Sequence, residues 1–91
     1  MPYQLRYHPD IPKDLSSINR NIKDRIRKAI ERRLLIDPIR YGDPLRRSLR
    51  GFRKLRVGDY RVIYEIFGDE IRIYVIGHRK EIYGSQLRKW V

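Results

Sequence analysis

Cysteine is absent from this 91-residue chain, which excludes disulfides and thiolate-held metals and leaves the redox compartment open. Long apolar runs are missing too. No stretch approaches the roughly 20 residues of a membrane span, and the opening "MPYQLRYHPD" has no apolar core of signal-peptide type. Cytoplasmic residence, with no membrane partner, is the expectation. Acidic residues are scarce: 11 Asp and Glu stand against 22 Lys and Arg, a formal net charge of +11. A surface laced with ion pairs would need comparable numbers of both signs, because an unpaired excess repels itself. The imbalance points to a polyanionic partner. Two histidines with no paired carboxylates nearby do not make a metal site, and no glycine-rich phosphate loop is present, so no metal and no cofactor are expected.

What is there suits one domain over residues 1–91 with a single core. "YQLRY", Tyr3 to Tyr7, alternates apolar and polar residues as a half-buried strand does. The prolines and aspartates of "HPDIPKDL" suit a helix start, which predicts a short helix from about Ile11 to Ser17. Leu15, Ile18, Ile22, Ile26, Ile30 and Leu34 then recur at three and four residues, one face of a second helix capped by Asn19 or Asn21 and ending near Ile36. Its outer face carries Arg20, Lys23, Arg27, Lys28 and Arg32, offset by Asp24 and Glu31. Residues Asp37 to Gly51, with two Asp-Pro steps, read as a connecting loop.

Gly58-Asp59 and Gly68-Asp69 are flanked by alternating residues, the signature of tight hairpins. Three antiparallel strands result, about Phe52 to Val57, Tyr60 to Phe67 and Glu70 to Ile76. Two-residue loops set the register: Val57 faces Tyr60, Phe67 faces Glu70, and Arg61 faces Ile76. One face then holds Leu55, Val57, Tyr60, Val62, Tyr64, Ile66, Ile71, Ile73 and Val75, the core under the helices. The other holds Lys54, Arg56, Arg61, Ile63, Glu65, Arg72, Tyr74 and Ile76. Glu65 sits opposite Arg72, an expected ion pair. Arg56 sits opposite Arg61 with Lys54 beside it, and like charges so placed destabilise a sheet. An anionic ligand would supply the missing charge. Gly77 permits a bend that brings His78, Arg79 or Tyr83 to the rim of this basic face. His8 reads as structural, and Trp90 as an anchor for the tail.

Such a face suits phosphodiester cleavage by an internal 2′-hydroxyl, which needs a proton acceptor, cations for the phosphorane charge and a proton for the leaving 5′-oxygen. Arginine forks fit phosphate oxygens and an aromatic ring can stack on a splayed base.

"LRVGDYRVIYEI" followed by "VIGHRKEIY", after a helical hairpin, resembles the RelE/ParE superfamily of type II toxins over nearly the whole chain. The resemblance implies an α+β fold in which an N-terminal strand and two helices pack on a small antiparallel β-meander, the RelE-like (microbial ribonuclease-like) fold. Its RelE branch implies a ribosome-dependent, metal-independent messenger RNA endoribonuclease. Matched by motif, Lys54, Arg61, Arg79 and Tyr83 form the implied catalytic set. Lys54 or Tyr83 would manage the 2′-hydroxyl proton, Arg61 hold the scissile phosphate and Arg79 assist the leaving group. Arg50, Arg53, Arg56 and His78 complete the implied RNA-binding set. Phe52 stands where some RelE-type members carry a second strand lysine. The implied partners are a cognate antitoxin with an acidic or amphipathic segment, in a hetero-oligomer, and the ribosome with its message. The ParE branch shares the fold and implies a gyrase inhibitor instead; a non-catalytic nucleic-acid-binding module is the third reading.

Overall fold

A computed structural model describes residues 3–45, 51–82 and 88–90. In chain order these form β1 (Gln4–Tyr7), α1 (Ile11–Leu15), α2 (Arg20–Ala29) continued by a π-helical turn (Ile30–Leu34), α3 (Pro38–Tyr41), β2 (Asp43–Pro44), β3 (Phe52–Val57), β4 (Tyr60–Phe67), β5 (Glu70–His78) and α4 (Arg79–Ile82). The sheet order is β1-β5-β4-β3-β2, with β1 parallel to β5 and the other neighbours antiparallel. Among the described residues no helix is long and apolar enough to cross a membrane.

The isoleucine stripe behaves as its spacing requires. Asn19 caps α2, its side chain accepting the Asn21 N–H at 2.7 Å. Ile26, Ile30 and Leu34 descend onto Leu55, Val57, Val62, Tyr64, Ile71, Ile73 and Ile76, all buried in one cluster. Residues four apart drift by about 40° around an α-helix. The wider π turn, closed by Leu35 N–H on the Ile30 carbonyl at 3.2 Å, takes up that drift and keeps Leu34 in line with Ile26 and Ile30. Each such fully buried side chain contributes about 1.5–3 kcal/mol of transfer free energy.

Three boundaries differ from the sequence expectation. Helix α1 stops at Leu15, because the Ser16 hydroxyl turns back to the Lys13 carbonyl at 2.7 Å. The span from Asp37, expected as a loop, contains α3 and the two-residue β2. The Asp37 carboxylate caps the Arg40 N–H at 3.2 Å and Pro38 opens the turn, a unit too short to show periodicity. Strand β5 runs on to His78 instead of ending at Ile76.

The β3–β4 register is the expected one throughout, from Val57 against Tyr60 to Phe52 against Glu65. In β4–β5 it holds from Phe67 against Glu70 to Tyr64 against Ile73 and then shifts, so that Ile63 faces Val75 and Arg61 faces Gly77 rather than Ile76. A β-bulge at Tyr74 inserts the extra residue. Its effect is to exchange Val75 and Ile76: Ile76 enters the core, and Val75 moves to the outer face. The bulge therefore buries the larger side chain while Tyr74 stays outside.

One close approach ties α3 to the sheet. Tyr64, fully buried, donates its hydroxyl to the Pro38 carbonyl at 2.5 Å, and a Cβ at Gly42 would lie 1.7 Å from that oxygen. Gly42 has an extended backbone, so the constraint is space. Gly42→Ala is expected to lower stability by about 1–3 kcal/mol through overpacking and the displaced hydrogen bond. Urea denaturation checks this, and a midpoint equal to the parent's would remove the constraint.

Candidate nucleic-acid interface

The outer face of the sheet is built by alternation from β3, β4 and β5. Arg56 and Arg61 stand directly opposite one another beside Gly58-Asp59, with Lys54 against Ile63 two residues along. Directly opposed Cβ atoms lie about 4.5–5.5 Å apart, so the two guanidinium stems leave the sheet as neighbours. Gly58 takes a positive φ of 59°, which a hairpin turn of this size needs.

Arg61 is held more tightly than its alternation required. It is 6% exposed, and its Nη1 donates to the Gly58 carbonyl at 2.9 Å and to the Tyr60 carbonyl at 2.8 Å. One edge of the fork thus braces the turn. Arg79, at the start of α4, reaches the same turn from β5: its N–H donates to the Asp59 carbonyl at 2.8 Å and its Nε lies 3.7 Å from the Asp59 carboxylate. The Arg79 side chain remains half exposed. Arg56, Arg61 and Arg79 therefore surround one turn, and that turn's carbonyls and carboxylate lessen the repulsion among them.

The remaining sequence candidates divide. Arg53, in the implied RNA-binding set, points to the opposite side of the sheet, against Tyr64, and its Nη2 is committed to the Ile39 carbonyl at 2.6 Å and the Gly42 carbonyl at 2.8 Å. Its buried Nε has no partner among the described residues. The bulge carries His78 to the helix side, against Tyr60, where the two rings meet edge on at 5.4 Å; its Nδ1 accepts the Lys80 N–H at 3.1 Å. His78 thus departs from the rim position that the unbroken register implied. Arg50 and Tyr83 lie outside the described residues. No group of three His, Asp or Glu side chains that could hold a metal ion occurs among the described residues.

At the other end of the face the expected Glu65–Arg72 ion pair is replaced. The two residues are in register, yet Arg72 Nε donates to Glu70 at 3.1 Å, while Glu65 accepts the Tyr74 hydroxyl at 2.9 Å. Bulging swings Tyr74 over Glu65, and Arg72 stacks over Phe67 at 3.9 Å and near Trp90 at 5.1 Å. Tyr74 also meets Phe52 and Trp90, each with ring centroids 5.0 Å apart. Trp90 is an anchor, as expected.

A strap the sequence did not reveal holds the tail. Arg88 grips the Asp14 carboxylate with both terminal nitrogens, at 2.8 and 2.5 Å, and donates to the Tyr74 carbonyl at 3.0 Å. Asp14 also accepts the Ile76 N–H at 3.1 Å, past the end of β1. Buried His8 accepts the Asp10 N–H on Nδ1 and meets the Lys89 carbonyl with Nε2 at 2.9 Å, a structural histidine. Asp14 and Arg88 are 74 residues apart in sequence and His8 and Lys89 are 81 apart, and no local pattern marks either pair.

The same architecture occurs in known toxins. The toxin–antitoxin complex RelBE2 from Mycobacterium tuberculosis contains a chain 31% identical to this one, with a TM-score of 0.80 over 87% of this chain and all of that one. A RelB–RelE antitoxin–toxin complex from Methanococcus jannaschii gives 28% identity and a TM-score of 0.68 over 86% of this chain and 94% of that one. Toxin RelG of Mycobacterium tuberculosis is 32% identical over 85 residues, covering 91% of this chain and 98% of the relative. The fold and these similarities thus define a type II toxin of the RelE/ParE superfamily. Residues 5–83 match the model of the ParE toxin of type II toxin–antitoxin systems, parDE, and the chain belongs to that family.

Burial, followed by the hydrogen bond to Glu65 and that carboxylate's charge, holds the Tyr74 phenol above its ordinary value. The folded state therefore favours the neutral phenol, and an unfolded tyrosine ionises first. Stability is fully present below about pH 10 and declines as pH rises above it, since the unfolded chain then binds fewer protons. Tyr74→Phe is expected to flatten that decline in urea titrations across the alkaline range. An unchanged slope would show that Tyr74 ionises in the fold as freely as in water.

Proposed function

We propose that this chain is the toxin of a type II toxin–antitoxin pair that cuts messenger RNA on the ribosome, without a metal, by attack of the RNA's own 2′-hydroxyl, and so arrests translation. The observation that carries this reading is the convergence of Arg56, Arg61 and Arg79 on the Gly58–Tyr60 turn, with Lys54 on the same face. In the reaction the 2′-oxygen bonds to phosphorus as the bond to the 5′-oxygen breaks. Lys54 or Tyr83 takes the 2′-hydroxyl proton. Arg61, through the edge of its fork that does not brace the turn, and Arg56 hold the charge that develops on the phosphorane. Arg79, half exposed, offsets charge on the departing 5′-oxygen, which takes its proton from water to leave as a 5′-hydroxyl, and Tyr83 stacks on an adjacent base. The partner is an antitoxin, as in the complexes of the similar chains; an acidic or amphipathic segment would neutralise the arginines.

Primer extension on ribosome-bound message is expected to show discrete cuts that Arg61→Ala and Tyr83→Phe abolish. Arg79→Ala is expected to slow cutting by about 10²–10³-fold, the usual effect of removing one charge-stabilising donor, with an unchanged melting temperature. Message left intact by the parent chain would end this reading. A ParE-like gyrase inhibitor is the second reading, favoured by the burial of Arg61 and by the family match. Loss of supercoiling activity in vitro with no RNA cut would establish it.

A further inference from the structure

A second concentration of positive charge lies on the other side of the hairpin turn. A cleft of about 300 Å³ between α2 with its π turn and the end of β3 is lined by Arg25, Lys28, Arg32, Arg33 and Arg56, with Ala29, Val57 and Gly58 between them. All five cations are exposed. The acids of the helix do not serve them: Asp24 and Glu31 both lie against Arg27, at 3.8 and 3.6 Å, on a different flank. Asp59, in the adjoining turn, is engaged by Arg79. Among the described residues none of the five has an ion-pair partner.

The spacing is regular. Arg25, Lys28, Arg32 and Arg33 recur at three, four and one residues, which puts them along one helix flank, where like charges one turn apart repel. Arg25 to Arg32 spans about 10 Å along the axis, longer than a single small anion. The Arg25 guanidinium hangs over Gly58, its Nη2 3.6 Å from where a Cβ there would stand. Val57 and Ala29 are the only apolar side chains in the lining, so the cleft offers little to the apolar anchors by which peptides dock. Four of the five cations are arginines, whose planar forks match phosphate oxygens in pairs.

We propose that this cleft is a second phosphate-binding site that grips the backbone of a nucleic-acid duplex by shape and charge, separate from the strand read by the sheet face. It extends the reading above and shares only Arg56 with it. The ligand chemistry is the phosphodiester backbone of a double helix; duplex RNA and duplex DNA are the two possible sources. A row of unpaired cations along a rigid helix suits contacts with backbone alone.

The test uses the full chain, a labelled RNA duplex of about 16 base pairs, the size that a duplex-binding domain spans, a DNA duplex of the same sequence and one single strand, titrated by fluorescence anisotropy over a salt series. The parent chain is expected to bind a duplex, and the variant carrying Arg25→Gln, Lys28→Gln, Arg32→Gln and Arg33→Gln to bind it at least about tenfold more weakly. Its slope of log affinity against log salt should become shallower by about 3.6, at about 0.9 for each of four lost phosphate contacts on a duplex. Lys13→Gln, at an exposed cation on α1 outside both basic surfaces, should leave duplex affinity unchanged. Should the fourfold variant fold poorly, Arg32→Glu alone, at an exposed position, should weaken duplex binding and lower the slope. The arm that binds more tightly identifies the duplex. Duplex binding that the cleft variants leave intact would overturn the proposal, as would displacement of the duplex by poly-glutamate at equal charge, which would assign the cleft to an acidic protein segment. Cleft-dependent duplex binding by a chain that cuts no message would end the nuclease reading and keep this one. Cleavage by a chain whose duplex binding ignores the cleft would do the reverse.

Discussion

Arg56 and Arg61 face one another across a two-residue turn, and the molecule is arranged so that this juxtaposition can persist. Two like charges on directly opposed positions weaken a sheet, by tenths of a kcal/mol where water screens them and by more where it does not. Here the turn itself provides the offset. The carbonyls of Gly58 and Tyr60 accept from Arg61, and the Asp59 carboxylate lies beside Arg79. The turn is thus both the end of a hairpin and a local counter-charge, and it fixes the guanidinium groups that an anion would meet.

That arrangement depends in turn on the bulge in β5. Without the extra residue at Tyr74, Arg61 would lie against Ile76, and a large apolar side chain would occupy the basic face. With it, Gly77 stands opposite Arg61, and Ile82 of α4 packs within 3.8 Å of where a Gly77 Cβ would be. Helix α4 can then begin at Arg79 close to the turn. The same bulge lifts Tyr74 onto Glu65 and gives Trp90 its ring partners, so the tail and the arginine cluster are positioned by one irregularity at opposite ends of a strand.

Two groups stand out among the basic residues. Arg53, Arg61, Arg72 and Arg88 are tied to carbonyls, carboxylates or rings and brace the fold. Arg25, Lys28, Arg32, Arg33 and Arg56 stand exposed without an ion-pair partner among the described residues. Among the described residues the positive charge is therefore not spread evenly: part of it braces the fold, and another part is gathered around and beside one hairpin turn, where an anionic polymer would bring its counter-charge.

Periodicity by itself determined most of the architecture, because the 3.6-residue stripe and the two-residue alternation are local properties that burial enforces everywhere. The helix face from Ile22 to Leu34, both hairpins, the full β3–β4 register and the opposition of Arg56 to Arg61 were legible from spacing alone, whereas Leu15 and Ile18 of the same stripe lie before the α2 cap, in α1 and the turn after it. A short helix such as Pro38–Tyr41 was not, since four residues carry no period. Only the tertiary structure decided where the β4–β5 register would shift, because a bulge is chosen by what the core accepts, here Ile76 over Val75, and not by any turn residue. With that shift went His78 to the helix side and Gly77 to Arg61. The Asp14–Arg88 strap and the burial of Arg61 likewise required the chain to be folded, for their partners are set by distance in space, which a linear pattern does not encode.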